Sequence, residues 1–347
     1  MVFVDFLVFF IALAILIKGS DIFVRAASSL AKEIGVSEFI IGLTVVAVGT
    51  SIPELATSVS ASLAGNSDLI LGIIVGSTIT NIGFVLAIAA IISILKIDKI
   101  ALYRDGIFLL SAVVLFFLIA FDKQITALEG FMLLVLFLGY IYHLIRTKQK
   151  DKFGYEQYLN YVWNIVNPET YARFIDRTLN RDYKKLVHDY RNNWFKSQRL
   201  LRETLTIMFA IAVIIVSSGY IVPSASKIAL SLGIPETVLG FIITAIGTSL
   251  PELIVSLTAI YRKLNDILIG NIIGSNIANL MLIGGISSII SPIKVNDLVL
   301  FYMIPFTLFQ TLLFLQFIRT TWFIKKLEGI IFLGLYLSFM AFIIFLV

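Results

Sequence analysis

The sequence predicts an all-α integral membrane protein with ten transmembrane helices, arranged as two inverted repeats of five helices each. Hydrophobic residues make up 59% of the 347 residues and charged residues only 14%, whereas soluble domains contain about 25% charged residues. The apolar residues fall in blocks of about twenty, which is the length of helix that crosses a bilayer. An internal repeat with an odd number of blocks per copy predicts the inversion.

One long polar segment divides the ten apolar blocks into two groups of five. Residues 1–146 and 203–347 are the predicted five-helix units, and residues 147–202 form the loop between them. No small-residue cleavage pattern follows the first block, so we expect a retained helix rather than a signal peptide. The predicted spans lie near residues 2–17, 38–63, 68–95, 105–121, 125–145, 203–226, 237–260, 267–290, 298–318 and 322–346.

The distribution of basic residues predicts the orientation. With alternating spans, 24 of the 27 Lys and Arg residues lie on one side, and only Lys123, Lys227 and Lys294 lie on the other. Basic residues concentrate in cytoplasmic loops. We therefore expect a cell-membrane protein with a cytoplasmic loop 147–202 and both termini outside the cell. Membrane topology explains the basic excess, so no nucleic-acid partner is predicted.

The repeat aligns residues 35–81 with residues 233–279 at a constant offset of 198, and 19 of the 47 aligned residues are identical. Apolar helices share Leu, Ile and Val by chance, but they do not share Pro, Glu, Ser and Asn at fixed spacing. Five spans per unit make the second copy enter the membrane from the opposite side. Secondary transporters have this plan, and their substrate site lies near the midplane where the copies meet.

Each repeat carries one ionisable residue near the middle of an apolar span. These residues are Glu54, within residues 39–63, and Glu252, within residues 238–260. A charge at that depth costs about 2.5–3.5 kcal/mol on insertion scales, so such residues generally face a pathway or a partner. Two carboxylates at matching positions predict a cation site. A glutamate that pairs with another helix only for packing is the alternative.

Oxygen-bearing side chains accompany both glutamates at helical spacing. Pro53 and Pro251 are incompatible with hydrogen bonds to the carbonyls four residues back, so we expect loosened backbone oxygens beside each carboxylate. Hard cations such as Ca²⁺ take six to eight oxygen ligands, and a chain without cysteine offers no thiolate site for zinc or copper. The candidate hydroxyl and amide ligands are Thr50, Ser51, Ser77, Asn81, Thr248, Ser249, Ser275 and Asn279.

Other repeated residues have structural interpretations. Ser and Thr often hydrogen-bond within their own helix, which is the alternative for Thr50 and Thr248. Glycines at 72 and 76, and at 270 and 274, predict close helix contacts. Acidic residues at the starts of spans fit the positive end of a helix, so we interpret them as interfacial. They are Glu38, Asp68, Glu236 and Asp266.

The segments Gly-Thr-Ser-x-Pro-Glu, at 49–54 and 247–252, and Gly-Ser-x-Ile-x-Asn, at 76–81 and 274–279, resemble the α-repeats of the cation/Ca²⁺ exchanger superfamily, especially prokaryotic Na⁺/Ca²⁺ exchanger-like proteins. The resemblance implies a core of the second, third, seventh and eighth spans, against which the first and sixth slide. The ligands it implies are Glu54, Ser51, Ser77, Glu252, Ser249 and Ser275, assisted by Thr50, Thr248 and the carbonyls of Ala47 and Ala245.

The implied function is antiport of Ca²⁺ against Na⁺ or H⁺, with the transported ions as the only bound ligands and no cofactor. Two carboxylates balance one divalent cation, and two or three monovalent ions could replace it. Many relatives carry an aspartate at the position of Asn279, so the coupling ion and the stoichiometry stay open. The alternatives are a Ca²⁺/H⁺ or other cation/proton exchanger, a passive channel and an intramembrane enzyme, although no catalytic motif points to an enzyme.

The loop 147–202 contains a predicted amphipathic helix. Asn167 is the expected N-cap and Pro168 the first helical residue. Apolar residues then recur at spacings of three and four from Tyr171 to Tyr190. We expect this helix to lie on the anionic cytoplasmic leaflet. A regulatory segment that contacts the transport core is the alternative.

Overall fold

The computed structural model describes residues 2–99, 101–146, 194–231 and 249–346. Two-residue strands are the only extended pairs among these residues, and helices form nearly all the rest. The helices are α1 (Val2–Ile34), α2 (Glu38–Thr50), α3 (Ile52–Leu63), α4 (Ser67–Ile92), α5 (Tyr103–Ala120), α6 (Ala127–Arg146), α7 (Trp194–Ser231), α8 (Leu250–Tyr261), α9 (Asn265–Ile290), α10 (Val299–Thr321) and α11 (Lys326–Leu346). The strands are β1 (Leu95–Lys96), β2 (Gln124–Ile125), β3 (Ile293–Lys294) and β4 (Phe323–Ile324).

The protein crosses a membrane several times. Eight helices in the described part of the chain are long and apolar enough for a crossing, and α2 with α3 forms a ninth, bent span. The predicted seventh span, near 237–260, is described only from Ser249 onward, where it forms α8. The tenth crossing therefore stays a prediction.

Two helices are longer than predicted. The expected first span ends at residue 17, whereas α1 continues to Ile34, because Asp21 pairs with Arg25 one turn later at 2.8 Å and Phe23 is buried. The sixth span was expected from residue 203, but α7 begins at Trp194, inside the predicted loop. Arg199 binds Glu33 of α1 at 2.7 Å and ties this extension to the first helix. The expected amphipathic helix from Asn167 lies outside the described residues.

The strand pairs establish that the repeats are inverted. Strands β1 and β2 flank α5 in the sequence, so they lie at opposite ends of a membrane-crossing helix. β1 pairs with β4, and β2 pairs with β3. At the repeat offset of 198, the counterpart of β1 is β3. Because β3 pairs with β2, it lies at the opposite end of the molecule from β1. Counterpart strands at opposite ends are expected when the second repeat is inverted relative to the first.

Helices α2 and α9 cross with their backbones in contact. A Cβ at Gly270 or Gly274 would clash with the carbonyl oxygens of Phe39 and Leu43, and a Cβ at Gly42 would clash with that of Ile267. The glycine spacing at 270 and 274 predicted this contact. For the matching face at Gly72 and Gly76, the expected partner is the counterpart of Gly42, residue 240, which lies outside the described ranges.

Candidate cation-binding site

A break in the second span positions the first carboxylate. Helix α2 ends at Thr50, and α3 begins at Ile52 with a bend of 44°. Ser51 between them has φ −85° and ψ 6°. This span was expected as one helix, and Pro53 explains the break because it cannot accommodate the hydrogen bond to residue 49. Glu54 consequently lies in the first turn of α3, where the helix N-terminus favours a negative charge.

The second repeat shows the same local structure at its described end. Ser249 has φ −89° and ψ 7°, and α8 begins at Leu250 with Pro251 in its first turn. Glu252 therefore stands at a helix N-terminus as Glu54 does. Similar sequences thus give similar backbone geometry, and each carboxylate is held in the first turn of a helix. Helix N-termini also contribute to ion and substrate sites in transporters.

The two carboxylates are buried and lie close to each other. Glu54 is 1% exposed and Glu252 is 2% exposed. The hydroxyl of Ser51, three residues before Glu54, donates to Oε1 of Glu252 at 3.4 Å. No Lys or Arg in the described ranges forms an ion pair with either carboxylate. Burying a charge costs several kcal/mol when nothing compensates it, so this pair requires cations or protons.

Several predicted ligand residues carry buried oxygens that have no hydrogen-bond partner in the described structure. Five buried oxygens of predicted ligand residues accept or donate no hydrogen bond in the described structure: Oε2 of Glu54, Oε2 of Glu252, Oγ of Ser249, Oδ1 of Asn81 and Oδ1 of Asn279. Buried polar atoms normally have partners, and all five of these can bind a hard cation. Among the described residues, no group of three or more His, Cys, Asp or Glu side chains could hold a metal ion. The chemistry is therefore that of two carboxylates and several neutral oxygens.

The predicted hydroxyl residues that the structure describes are all buried, but they differ in their contacts. The Thr50 hydroxyl lies 3.2 Å from the Ala47 carbonyl, within its own helix, and 3.2 Å from Oδ1 of Asn271. Thr50 therefore makes the hydrogen bond within its own helix that was the structural alternative, and it also contacts a residue of the other half. The Ser275 hydroxyl lies 3.5 Å from the same carbonyl, and Ser77 is buried. Thr248 and Ala245 lie outside the described residues.

The other repeated acidic residues do not join this cluster in the described structure. Oε1 of Glu38 accepts from Ser28 at 2.6 Å. Asp68 is exposed and accepts from Asn296 at 2.8 Å, and Asp266 is exposed at the start of α9. Their placement agrees with the interfacial interpretation. Glu236 lies outside the described ranges.

Comparison with known proteins identifies the family. The family model described as "Sodium/calcium exchanger protein" matches residues 4–146 and 203–345. The chain belongs to this family. It is 36% identical to the sodium/calcium exchanger MaX1 of Methanosarcina acetivorans, over 98% of this chain and 99% of that protein. It is 31% identical to the uncharacterized membrane protein MJ0091 of Methanocaldococcus jannaschii, over 96% of each.

A solved structure agrees with the fold of this exchanger-family chain. The sodium-calcium exchanger NCX_Mj, soaked with zero Na⁺ and Ca²⁺, matches with a TM-score of 0.77 and 29% sequence identity. The match covers 99% of this chain and 100% of that one. The membrane exchanger fold predicted from the repeats is therefore confirmed.

Two amide residues beside the site were not predicted. Asn271 accepts from Thr50, and its Nδ2 donates to Ser256 at 3.5 Å. Asn276 accepts from Nδ2 of Asn81 at 3.0 Å. Neither residue is repeated in the first half, so the repeated motifs do not contain them. The signal available in the sequence was the presence of two further amides in a helix that consists mostly of apolar residues.

Proposed function

We propose that the protein is a secondary antiporter that exchanges Ca²⁺ for Na⁺ across the cell membrane by alternating access. The supporting observation is the pair of buried carboxylates, Glu54 and Glu252, one from each half and joined through Ser51. One Ca²⁺ balances their two charges, and two or three Na⁺ ions take the same oxygens after Ca²⁺ leaves. Because the two occupancies exclude each other, movement of one ion requires return of the other. The names of the relatives agree with this chemistry.

The proposed ligands follow the repeat. The carboxylates supply charge, and hydroxyl, amide and carbonyl oxygens complete the coordination that a hard cation prefers. The unpartnered oxygens of Glu54, Glu252, Ser249, Asn81 and Asn279 support this assignment. The proposed set is Glu54, Glu252, Ser51, Ser249, Ser77, Ser275, Thr50, Thr248, Asn81 and Asn279, with the carbonyls of Ala47 and Ala245. We assign no catalytic role to any of them.

We also propose that α1 and α7 move together against the rest of the molecule. The two helices pack side by side, and a Cβ at Gly19 would lie 2.9 Å from Val213, so their surfaces fit closely. The distribution of basic residues supports an orientation with both termini outside the cell. Residues 1–146 and 203–347 are then the two transport units, and we place the loop 147–202 on the cytoplasmic leaflet.

Exchange of Ca²⁺ for H⁺ is the second candidate. The site offers two carboxylates, with an amide at Asn279, and each carboxylate is itself a proton acceptor. Two protons would therefore balance one Ca²⁺ without any Na⁺ ligand. This candidate uses the same residues and the same alternating-access mechanism. It differs only in that a H⁺ gradient, rather than a Na⁺ gradient, drives Ca²⁺ transport.

Uptake of ⁴⁵Ca²⁺ into proteoliposomes with a clamped membrane potential tests the proposal. We expect uptake to be driven by an outward Na⁺ gradient and not by a K⁺ gradient. Uptake driven by a pH gradient alone would select the second candidate, and steady uptake without any counter-ion gradient would select a channel. Undiminished uptake by both Glu54→Gln and Glu252→Gln would overturn the proposed site.

A further inference from the structure

Two asparagine side chains meet where the halves of the molecule join. Asn81 belongs to α4, and Asn276 belongs to α9. Nδ2 of Asn81 donates to Oδ1 of Asn276 at 3.0 Å, and the two residues are 1% and 0% exposed. Oδ1 of Asn81 and Nδ2 of Asn276 have no partner in the described structure. The pair therefore makes one hydrogen bond, and the Asn81 oxygen and the Asn276 nitrogen are left without a hydrogen-bond partner.

The direction of this hydrogen bond decides what Asn81 offers to an ion. An amide has an oxygen that only accepts and a nitrogen that only donates. If both amides were rotated by half a turn, Asn276 would donate to Asn81, and the free atom of Asn81 would be its NH₂ group. Cations bind the oxygen and are repelled by the NH₂ group. The observed pairing is the one that leaves the oxygen of Asn81 available.

The opposite half lacks this arrangement. The counterpart of Asn81 is Asn279, and the counterpart of Asn276 is Thr78. The Thr78 hydroxyl donates to the carbonyl of Ile74, in its own helix, at 2.7 Å. Among the described residues, no hydrogen bond joins Thr78 to Asn279. An amide that accepts a hydrogen bond from the repeated asparagine is therefore present in one half only.

We propose that Asn276 is a positioning residue, which holds the Asn81 amide with its oxygen available as a neutral ligand for a hard cation. The inference rests on the proposed cation site and adds a residue that the repeated motifs do not contain. A ligand fixed in its binding geometry before the ion arrives loses no orientational freedom when it binds. Hydrogen-bond partners that orient metal ligands have this effect, and their loss typically costs about 10- to 100-fold in affinity.

Equilibrium binding of ⁴⁵Ca²⁺ to the purified full-length protein tests this role. Asn276→Leu keeps the size of the side chain and removes the acceptor, so we expect the Kd for Ca²⁺ to rise roughly 10-fold or more. Asn276→Asp keeps an acceptor for Nδ2 of Asn81, so we expect no rise. A residue needed only for packing would tolerate leucine. Thr78→Val is the matched control at the counterpart position and should bind Ca²⁺ like the parent.

Combination with Asn81→Ala separates positioning from direct binding. Once the Asn81 oxygen is removed, Asn276→Leu should cause no further loss, because its effect passes through Asn81. A full additional loss in the double variant would contradict the inference. If the leucine variant does not fold, Asn276→Ala supplies the same comparison, since it also removes the acceptor and leaves a smaller side chain.

The outcomes separate this inference from the proposed function. A parent protein that binds no Ca²⁺ contradicts the proposed site and this inference together. A parent that binds Ca²⁺, with Asn276→Leu binding equally well, contradicts only the role of Asn276.

Discussion

The halves of the molecule carry the same Gly-Thr-Ser-x-Pro-Glu segment, yet the helices that follow it differ. In the first half, α4 has Ile73 and Thr78 where α9 of the second half has Asn271 and Asn276. Both asparagines of α9 contact ligand candidates of the first half, at 3.2 Å and 3.0 Å. The repeated segment contributes one carboxylate from each half, whereas these two amides come from the second half alone. The two halves thus contribute equal charge to the site, but only the second half contributes amides that contact ligand candidates of the other half.

A second difference lies away from the site. Arg262, in the connection between α8 and α9, donates to Asp21 of α1 at 2.7 Å. The counterparts of these residues are Ala64 and Gly219, which cannot form an ion pair. An inverted repeat with identical halves would give its two access states equal energies. The ion pair between Asp21 and Arg262 has no equivalent at the counterpart positions, so it makes the energies of the two access states unequal.

Neutralising the glutamates gives the largest expected effect. If both halves contribute equally to the charge of the site, Glu54→Gln and Glu252→Gln should each reduce Ca²⁺ binding by more than about 100-fold, because a buried divalent ion loses one of two compensating charges. Equilibrium ⁴⁵Ca²⁺ binding measures this. Asp68→Asn, which removes an exposed acid of the same repeat, should bind as the parent does. A large loss in only one glutamate variant would refute equal contribution.

Adding a third carboxylate is the next test. In Asn279→Asp, the new acid should tighten Ca²⁺ binding at alkaline pH by roughly 10-fold, because it brings a negative charge to the cation. At acidic pH the acid is protonated and resembles the amide, so the difference from the parent should disappear. Binding isotherms across pH measure this divergence. Asn265→Asp, at the start of the same helix, should show no such pH-dependent gain.

The sequence predicted the repeated features of the protein and missed those present once. The inverted plan, the membrane fold and the clustering of the two glutamates followed from motifs that recur at a fixed offset. The extension of α1 was missed because Lys18, Asp21 and Arg25 resemble the end of a span. It persists because Asp21 pairs with Arg25 and Arg262. Asn276 has no counterpart to reveal it, and the ligand roles stay predictions.

Releasing the ion pair between α1 and Arg262 should have a smaller effect. Partly exposed ion pairs contribute about 0.2–1 kcal/mol. Asp21→Asn or Arg262→Gln should therefore shift the balance of access states by up to about fivefold, towards the state open at the Arg262 end. The ratio of apparent Ca²⁺ affinities from the two sides of a proteoliposome measures this shift. Arg25→Gln is the control, because Arg25 also pairs with Asp21 but belongs to α1 itself. An equal shift in that variant would contradict the explanation.

The smallest effect on ion binding is expected at Gln310 of α10, whose counterpart in the first half is Ala112. Gln310 is 0% exposed, and neither polar atom of its amide has a hydrogen-bond partner in the described structure. An unsatisfied buried polar group costs about 1–3 kcal/mol. Gln310→Leu, which is similar in size, should therefore raise the Tm by a few degrees and leave Ca²⁺ binding unchanged. Thermal unfolding of the detergent-solubilised protein measures the first, and ⁴⁵Ca²⁺ binding measures the second. A lower Tm together with weaker binding would mean that this amide serves the site, and that the asymmetry between the halves extends to α10.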